Sequence, residues 1–443
     1  MVMEQRDYLA LQNKRINQIW KEFVRTAKSF DISKQVVWEA YTRVKANKGA
    51  AGVDEQSIEA FEKDLKNNLY KLWNRMSSGS YFPPAVRMVE IPKSDGGKRQ
   101  LGIPTVADRI AQMVAKIKLE TELESHFHED SYGYRPGKSA HQAIGKARQR
   151  CWEKAWVIDL DIKGFFDNLD HDLLMRAVVK HTQCKCLLLY IQRWLTAPMQ
   201  LAKGQLQQRV KGTPQGGVIS PLLANLFLHY ALDKWMGREY PGIQFERYAD
   251  DVIVHCRTEN EATCLKEAIA RRLNKCNLEL HPNKTKIVYC KDVKRKKAHS
   301  ITQFDFLGFT FRPRLSRNRE GKFFVGFNPA ISQKSAKAIR QSMRKWKLHL
   351  KCNRTLVELS RWINPTLRGW INYYGKFHKS ALYPIFNLLN RHLSKWATFK
   401  YKKLKEKQRK ASHWLGRIAK DNSSMLAHWA VGIRPAIGAR RAV

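Results

Sequence analysis

The chain has 443 residues, 43% of them hydrophobic, enough for more than one packed core and too apolar for a disordered tail. Its 81 Lys and Arg against 39 Asp and Glu leave a net charge of +42, which repels itself in a compact state unless a polyanion neutralises it, so the balance points to nucleic acid. Eight cysteines without a Cys-x-x-Cys pair speak against zinc and disulfides, and no stretch approaches the roughly 20 apolar residues of a membrane span; with a charged N-terminus, this predicts the cytoplasm and no membrane.

In chain order, residues 8 to 75 read as helices, with Ile16, Ile19, Trp20 and Phe23, then Val37, Ala40, Tyr41 and Val44 at helical spacing. The loop NKGAAGVD interrupts them. Arg87 to Ile91 alternates like a strand, and SDGGKR supplies a turn whose glycines permit positive φ, so a basic hairpin is predicted there. A helical pattern from about Ala107 to Ser125 precedes WVIDLDI (156 to 162), a buried strand interrupted by Asp159 and Asp161. Pro-Gln-Gly-Gly reads as a tight loop before a helix that Ser220 can cap and Pro221 can open. FERYADDVIVHC (245 to 256) reads as two short strands turning at Ala249 to Asp251, and FDFLGFTF (304 to 311) as one more strand. Helices follow from about Ile331 to Phe399. From Arg312 onward 31 Lys and Arg face four acids, so 27 of the 42 surplus charges lie there, including the basic run Lys402, Lys403, Lys405, Lys407, Arg409 and Lys410.

The chemistry concentrates in three carboxylates. Asp161 ends one hydrophobic strand, while Asp250 and Asp251 lie in the turn of another. On neighbouring strand ends they could hold two Mg²⁺ roughly 3.5 to 4 Å apart, the arrangement that serves in-line phosphoryl transfer with hard oxygen ligands. Any one Asp at a strand end is more often an ordinary turn residue; the surrounding words alter that balance.

Asp161-Ile162-Lys163-Gly164-Phe165-Phe166-Asp167, Gly212-Thr213-Pro214-Gln215-Gly216-Gly217 and Tyr248-Ala249-Asp250-Asp251 resemble the polymerase blocks of reverse transcriptases. EIPKSDGGKRQLGIPTVADRI, SYGYRPGKSAHQAI, LELHPNKTKI and FDFLGF are similar to that family's remaining blocks, in order. INPTLRGWINYYGKF (363 to 377) is similar to the maturase, or X, domain of group II intron proteins.

The resemblance implies an α+β, right-hand polymerase: fingers, a palm with an antiparallel sheet, and an α-helical thumb that is also the maturase surface. It divides the chain into an N-terminal helical extension (1–32), N-terminal and fingers region (33–150), palm (151–312), thumb/maturase domain (313–400) and a basic tail (401–443) that could be a DNA-binding remnant. It implies Asp161, Asp250 and Asp251 as metal ligands, with the Ile162 carbonyl a possible addition. Asp159 is held back because a second carboxylate deeper on the strand is costly to bury; Asp167 is expected to cap the following helix. Arg87, Lys93, Phe165, Gln215 and Lys284 would meet the dNTP, with Phe165 or its neighbour Phe166 as the sugar gate. Arg99, Tyr248 and Ala249 would meet template or primer. Arg361, Arg368 and Lys376 would contact RNA, whereas Trp370 at helical spacing is expected in the core. The implied activity is RNA-directed DNA synthesis with two Mg²⁺, and the implied partners are group II intron RNA, an RNA template with DNA primer, a DNA target and dNTPs. No paired cysteines follow Cys352, so no His-Asn-His endonuclease is expected. The rivals are a splicing cofactor with a decayed polymerase, a reverse transcriptase without an intron, and an RNA-dependent RNA polymerase.

Overall fold

The computed structural model describes residues 30–92, 97–317 and 320–437. The helical reading of residues 8 to 29, the tip of the basic hairpin with Lys93, and the last residues of the tail lie outside the described residues.

Among the described residues three helices come first: α1 (Lys34–Asn47), α2 (Ile58–Glu62) and α3 (Leu65–Ser77). The Ser33 hydroxyl caps α1 by accepting from the Val36 N–H at 3.2 Å, and Val37, Ala40, Tyr41 and Val44 form its buried stripe. The basic hairpin follows as β1 (Val86–Pro92) and β2 (Lys98–Ile103), antiparallel with Arg87 opposite Ile103. Helix α4 (Val106–Leu123) buries most of its length, and α5 (Ala140–Glu153) begins with a capping box between Ser139 and Gln142.

Strand β3 (Trp156–Leu160) leads through a short 3₁₀ turn, Phe165–Asp167, to α6 (His171–Val179) and α7 (Lys185–Thr196). The cap of α6 is Asp170, whose carboxylate accepts from Leu173 N–H at 2.9 Å; the expected cap, Asp167, is one turn too early and binds Gln215 instead. Short strands β4 (Met199–Gln200) and β5 (Leu206–Gln207) extend the hairpin into a sheet of order β2-β1-β4-β5, with β1 and β4 parallel. Helix α8 (Ser220–Leu228) has Ile219 at its cap position. Ser220 is already the first helical residue, and its buried hydroxyl accepts from Thr213 rather than capping. A π-helical turn, His229–Asp233, joins α8 to α9 (Lys234–Glu239).

Strands β6 (Gln244–Tyr248) and β7 (Asp251–Cys256) form the expected hairpin, followed by α10 (Glu259–Asn274) and β8 (Lys286–Tyr289). The central sheet runs β6-β7-β3-β8, antiparallel throughout. Both faces are covered, which explains the near-continuous apolar runs. Ile158, Leu160, Val252 and Val254 face the core shared with α4 and α8, while Val157, Ile253 and Val288 face a second core built with α5 and the next sheet.

That sheet corrects one expectation. Residues 304 to 311 are two strands, β9 (Phe304–Phe306) and β10 (Phe309–Arg317), because Leu307 and Gly308 take positive φ of 51° and 80° and fold the chain back. Strand β11 (Phe323–Ile331) pairs with β10 along its whole length. The remainder is helical: α11 (Gln333–Lys345), α12 (Leu356–Tyr374), α13 (Tyr383–Lys400), α14 (Gln408–Asp421) and a last turn, Ala427–Ala430, around a third core that includes Trp396 and Trp429. Trp370 is only partly buried there and stacks on Trp346 with ring centroids 5.6 Å apart. Among the described residues no helix is long and apolar enough to cross a membrane.

Candidate active site

The sheet register brings the predicted carboxylates to one edge. Leu160 lies opposite Val252 at the last pair of β3 and β7, so Asp161 emerges beside Asp251, and Asp250 sits in the turn above. Asp161 is held by its backbone: its carbonyl accepts from His281 N–H at 2.7 Å, and its N–H donates to the Thr285 hydroxyl at 3.3 Å. Lys284 places its ammonium 3.8 Å from the Asp161 carboxylate.

Asp250 and Asp251 resist ionisation. Burial pushes Asp251 up to about 6, and the charges of Asp250 and Asp161 push the same way; burial also raises Asp250, against the opposing pull of Arg99. Asp159, on the same strand face two residues deeper than Asp161, is pushed by burial and then by Asp251 up to about 7. Among the described residues no three ligating side chains converge on one point. The donor set itself is made of hard carboxylate oxygens, and the disfavoured ionisation of Asp250 and Asp251 is one that a divalent cation would relieve.

The turn bearing Ala249 and Asp250 is held from below. Ala249 is buried at φ 58°, and a Cβ on Gly133 would lie 2.4 Å from the Ala249 nitrogen, so only glycine lets the SYGY segment pass so closely. Arg247, fully buried, sends two N–H groups to Asp233 at 2.8 and 2.6 Å, one to Asn225 at 2.9 Å and one to the Ala249 carbonyl at 3.2 Å. Asn225 in turn donates to the Gly133 carbonyl at 2.6 Å. Sequence reasoning treated Arg247 as part of a motif and passed over Asp233 and Asn225. The available signal was an Arg and an Asp within apolar runs, where a charge persists only with a partner.

Arg99, expected at the template, and Gln215, expected at the dNTP, come together. The Arg99 guanidinium donates to the Gln215 side-chain oxygen, whose NH₂ donates to Asp167 at 3.2 Å, and the Gly102 N–H donates to the Gln215 carbonyl at 2.9 Å. Arg87 donates to the Gly52 carbonyl at 3.4 Å, on the loop NKGAAGVD. Phe165 and Phe166 are both buried, edge to face with centroids 5.3 Å apart, so burial does not choose between them. Tyr248 is half-buried beside Tyr134. Arg361 and Arg368 on α12, and Lys376 beyond it, are exposed, and among the described residues none pairs with the carboxylates. A groove lined by Asp251, Asp305, Gly308, Lys334, Trp370 and Tyr374 connects the carboxylate edge to the helical region.

Residues 91–311 match the family model described as "Reverse transcriptase (RNA-dependent DNA polymerase)", and residues 336–414 match "Group II intron, maturase-specific domain". The group II intron-encoded protein LtrA of Lactococcus lactis subsp. cremoris is 29% identical over 425 residues, 77% of this chain and 68% of that protein. Protein YkfC of Escherichia coli (strain K12) is 31% identical over 287 residues, 56% of this chain and 75% of that protein. A solved structure of telomerase from Candida albicans with a fragment of telomeric RNA covers 85% of this chain and 68% of its own, with a TM-score of 0.45 and 11% identity.

Proposed function

The chain belongs to the reverse transcriptase family and carries a group II intron maturase-specific domain, and from that premise we propose that it copies RNA into DNA at the edge formed by β3, β6 and β7, binds group II intron RNA, assists its splicing and reverse transcribes it during retrohoming. One observation carries the catalytic part: antiparallel pairing puts Asp161 beside Asp251, with Asp250 in the adjoining turn.

In this reading Asp161, Asp250, Asp251 and the Ile162 carbonyl hold two Mg²⁺, which when bound would activate the primer 3′-hydroxyl and stabilise the charge that develops on the leaving pyrophosphate. The protein's own contribution is positional. Arg247 fixes the turn from beneath, so Asp250 keeps its place when the metal charge arrives. Ala249, having only a methyl group, leaves room above the turn for a primer end. Arg87, Lys93 and Lys284 supply positive charge to the triphosphate from two sides, and a ring at Phe165 or Phe166 excludes a 2′-hydroxyl. Gln215, braced between Arg99 and Asp167, would present its amide to the incoming nucleotide or the primer, and Arg99 would touch the template. Residues 33–150, 151–312 and 313–400 serve as fingers, palm and thumb, with Arg361, Arg368 and Lys376 on the RNA-facing side of the last. DNA target contacts fall to the basic tail, residues 401–443.

Primer extension on an RNA template with Mg²⁺, comparing dNTPs with rNTPs, tests this. Wild type should extend with dNTPs, and Asp250→Ala should lose at least about a thousandfold in rate, since the transition state would lose a metal ligand. An inactive wild type that still binds structured RNA and speeds splicing would leave only the cofactor role standing.

A further inference from the structure

The hairpin of β10 and β11 carries an apolar face past the end of the core it belongs to. Residues 309, 311, 315 and 317 share one face with 323, 325, 327 and 331, because Leu315 pairs with Val325 and Arg317 with Phe323. At the inner end this face is core: Phe309, Phe311 and Phe327 are fully buried. At the outer end the same face is open, with Leu315 63% and Phe323 70% exposed. Val293, 50% exposed, joins the plaque from the neighbouring loop by donating its N–H to the Val325 carbonyl at 3.0 Å.

That loop is basic. Lys294, Lys296 and Lys297 are exposed, whereas the nearby acids are engaged: Asp292 holds Arg295, and Glu320 lies 3.6 Å from Lys322. On the hairpin itself the Arg317 guanidinium lies 5.8 Å from the Phe323 ring centroid. The surface is remote from the carboxylates. The loop leaves the sheet at Cys290, whose N–H donates to the Ala155 carbonyl at the opposite end of β3 from Asp161, roughly 20 Å away by strand rise.

We infer that this plaque, Leu315, Phe323, Val325 and Val293 with the cations beside it, is a second nucleic-acid site, on which single-stranded RNA stacks its bases while Lys294, Lys296 and Lys297 neutralise its phosphates. An open aromatic with its guanidinium and a string of unopposed lysines is the combination a base-and-phosphate polymer satisfies. A second copy of the chain would bring its own surplus of positive charge to the same place. The inference rests on the RNA-binding reading above and gives it an address distant from the polymerase edge. Its use would be to hold intron RNA while the cleft copies it.

The test uses the full chain with its cleft filled by an excess of primer–template hybrid, and single-stranded RNA containing 4-thiouridine as the probe. Crosslinks should map to the peptide bearing Phe323. Phe323→Ala should weaken probe binding about tenfold through the lost stack. Replacing Lys294, Lys296 and Lys297 together by Gln should make the slope of log affinity against log salt shallower by about 2. Melting curves and extension rate on the pre-bound hybrid should not change in either variant. Wild-type probe binding in both variants, or a loss of self-association in place of RNA binding, overturns the site. A wild-type chain that captures the probe through this hairpin but never extends the primer would instead overturn the polymerase reading and leave the site intact.

Discussion

The floor of the Asp250 turn and the helical C-terminal core bury polar groups in opposite ways. Beneath the turn buried charges are paired: Arg247 with Asp233 at 2.6 Å, and Arg150 with Asp130 at 2.8 Å and Glu246 at 2.7 Å. In the helical core the buried polar groups are neutral: Asn390 accepts from His428 at 2.7 Å and from the Trp429 indole at 3.0 Å, and Asn364 ties its amide to Met425 and Ala427. The reason is compositional. With four acids from Arg312 onward, the helical end has almost nothing with which to pair a buried cation, so shape and neutral hydrogen bonds hold it, and its cations stay on the surface for a polyanion. The palm, which must fix carboxylates in place, has acids to spare for its foundations.

The contrast breaks most visibly in acid. Burial holds His428 down to about 3, so the native state refuses a proton that the unfolded chain accepts below about 6.5. Stability of the helical core is therefore unaffected above that value and falls as pH drops toward 3, by roughly 5 kcal/mol if no other group compensates. Hydrogen exchange at α12 and α13 should show these helices opening with acid, and His428→Gln, which keeps a neutral donor for Asn390 and cannot titrate, should remove the effect. Equal acid sensitivity in the variant would mean that other groups drive the opening.

A smaller effect is expected from a single truncation in the palm. Asp233→Ala leaves the fully buried Arg247 without its main partner and should cost about 3 to 5 kcal/mol. The Asp250 turn should loosen with it. Folded Asp233→Ala protein, assayed well below its melting temperature, should extend primers with lowered kcat and nearly unchanged KM for dNTP. A variant that is merely less stable, with wild-type kcat, would show that the network supports the fold and not the geometry of the turn.

How far the sequence discloses this architecture depends on the range of the interaction. That Asp161, Asp250 and Asp251 meet at one sheet edge was legible because each ends or turns an apolar run, and the β6–β7 hairpin because its turn residues lie next to one another. The β9–β10 hairpin was read as one strand, since Leu307 gives no hint that it takes positive φ. Asp167 was mistaken for a cap because two acids, Asp167 and Asp170, compete in one short segment, and only the geometry of the 3₁₀ turn decides between them. Ser220 failed as a cap for a related reason: the helix starts on it. Arg247 and Asp233 are 14 positions apart, and no local pattern pairs them. The open face of the β10–β11 hairpin was equally hidden, because the phenylalanines at 309, 311 and 323 look alike in sequence and differ only in where the core stops.

Asp108 sharpens the comparison at its smallest scale, because its response to acid should have the opposite sign to that of His428. It is buried in α4 and accepts from Tyr81 and Trp194 at 2.8 Å on one oxygen and from Gln112 at 2.9 Å on the other. Burial nevertheless outweighs these donors and pushes the acid up to about 6. A raised native value means that the folded state keeps its proton longer than the unfolded one, so stability falls by roughly 3 kcal/mol as pH rises from about 4 to 6. Asp108→Asn cannot titrate, and its NH₂ must face at least one donor, since Gln112 is pinned by accepting from the Val218 N–H at 2.7 Å. The variant should thus be less stable at pH 4, and its deficit against wild type should shrink toward pH 7 in parallel thermal melts. A deficit that instead grows with pH would show that the three donors outweigh desolvation and hold the carboxylate ionised.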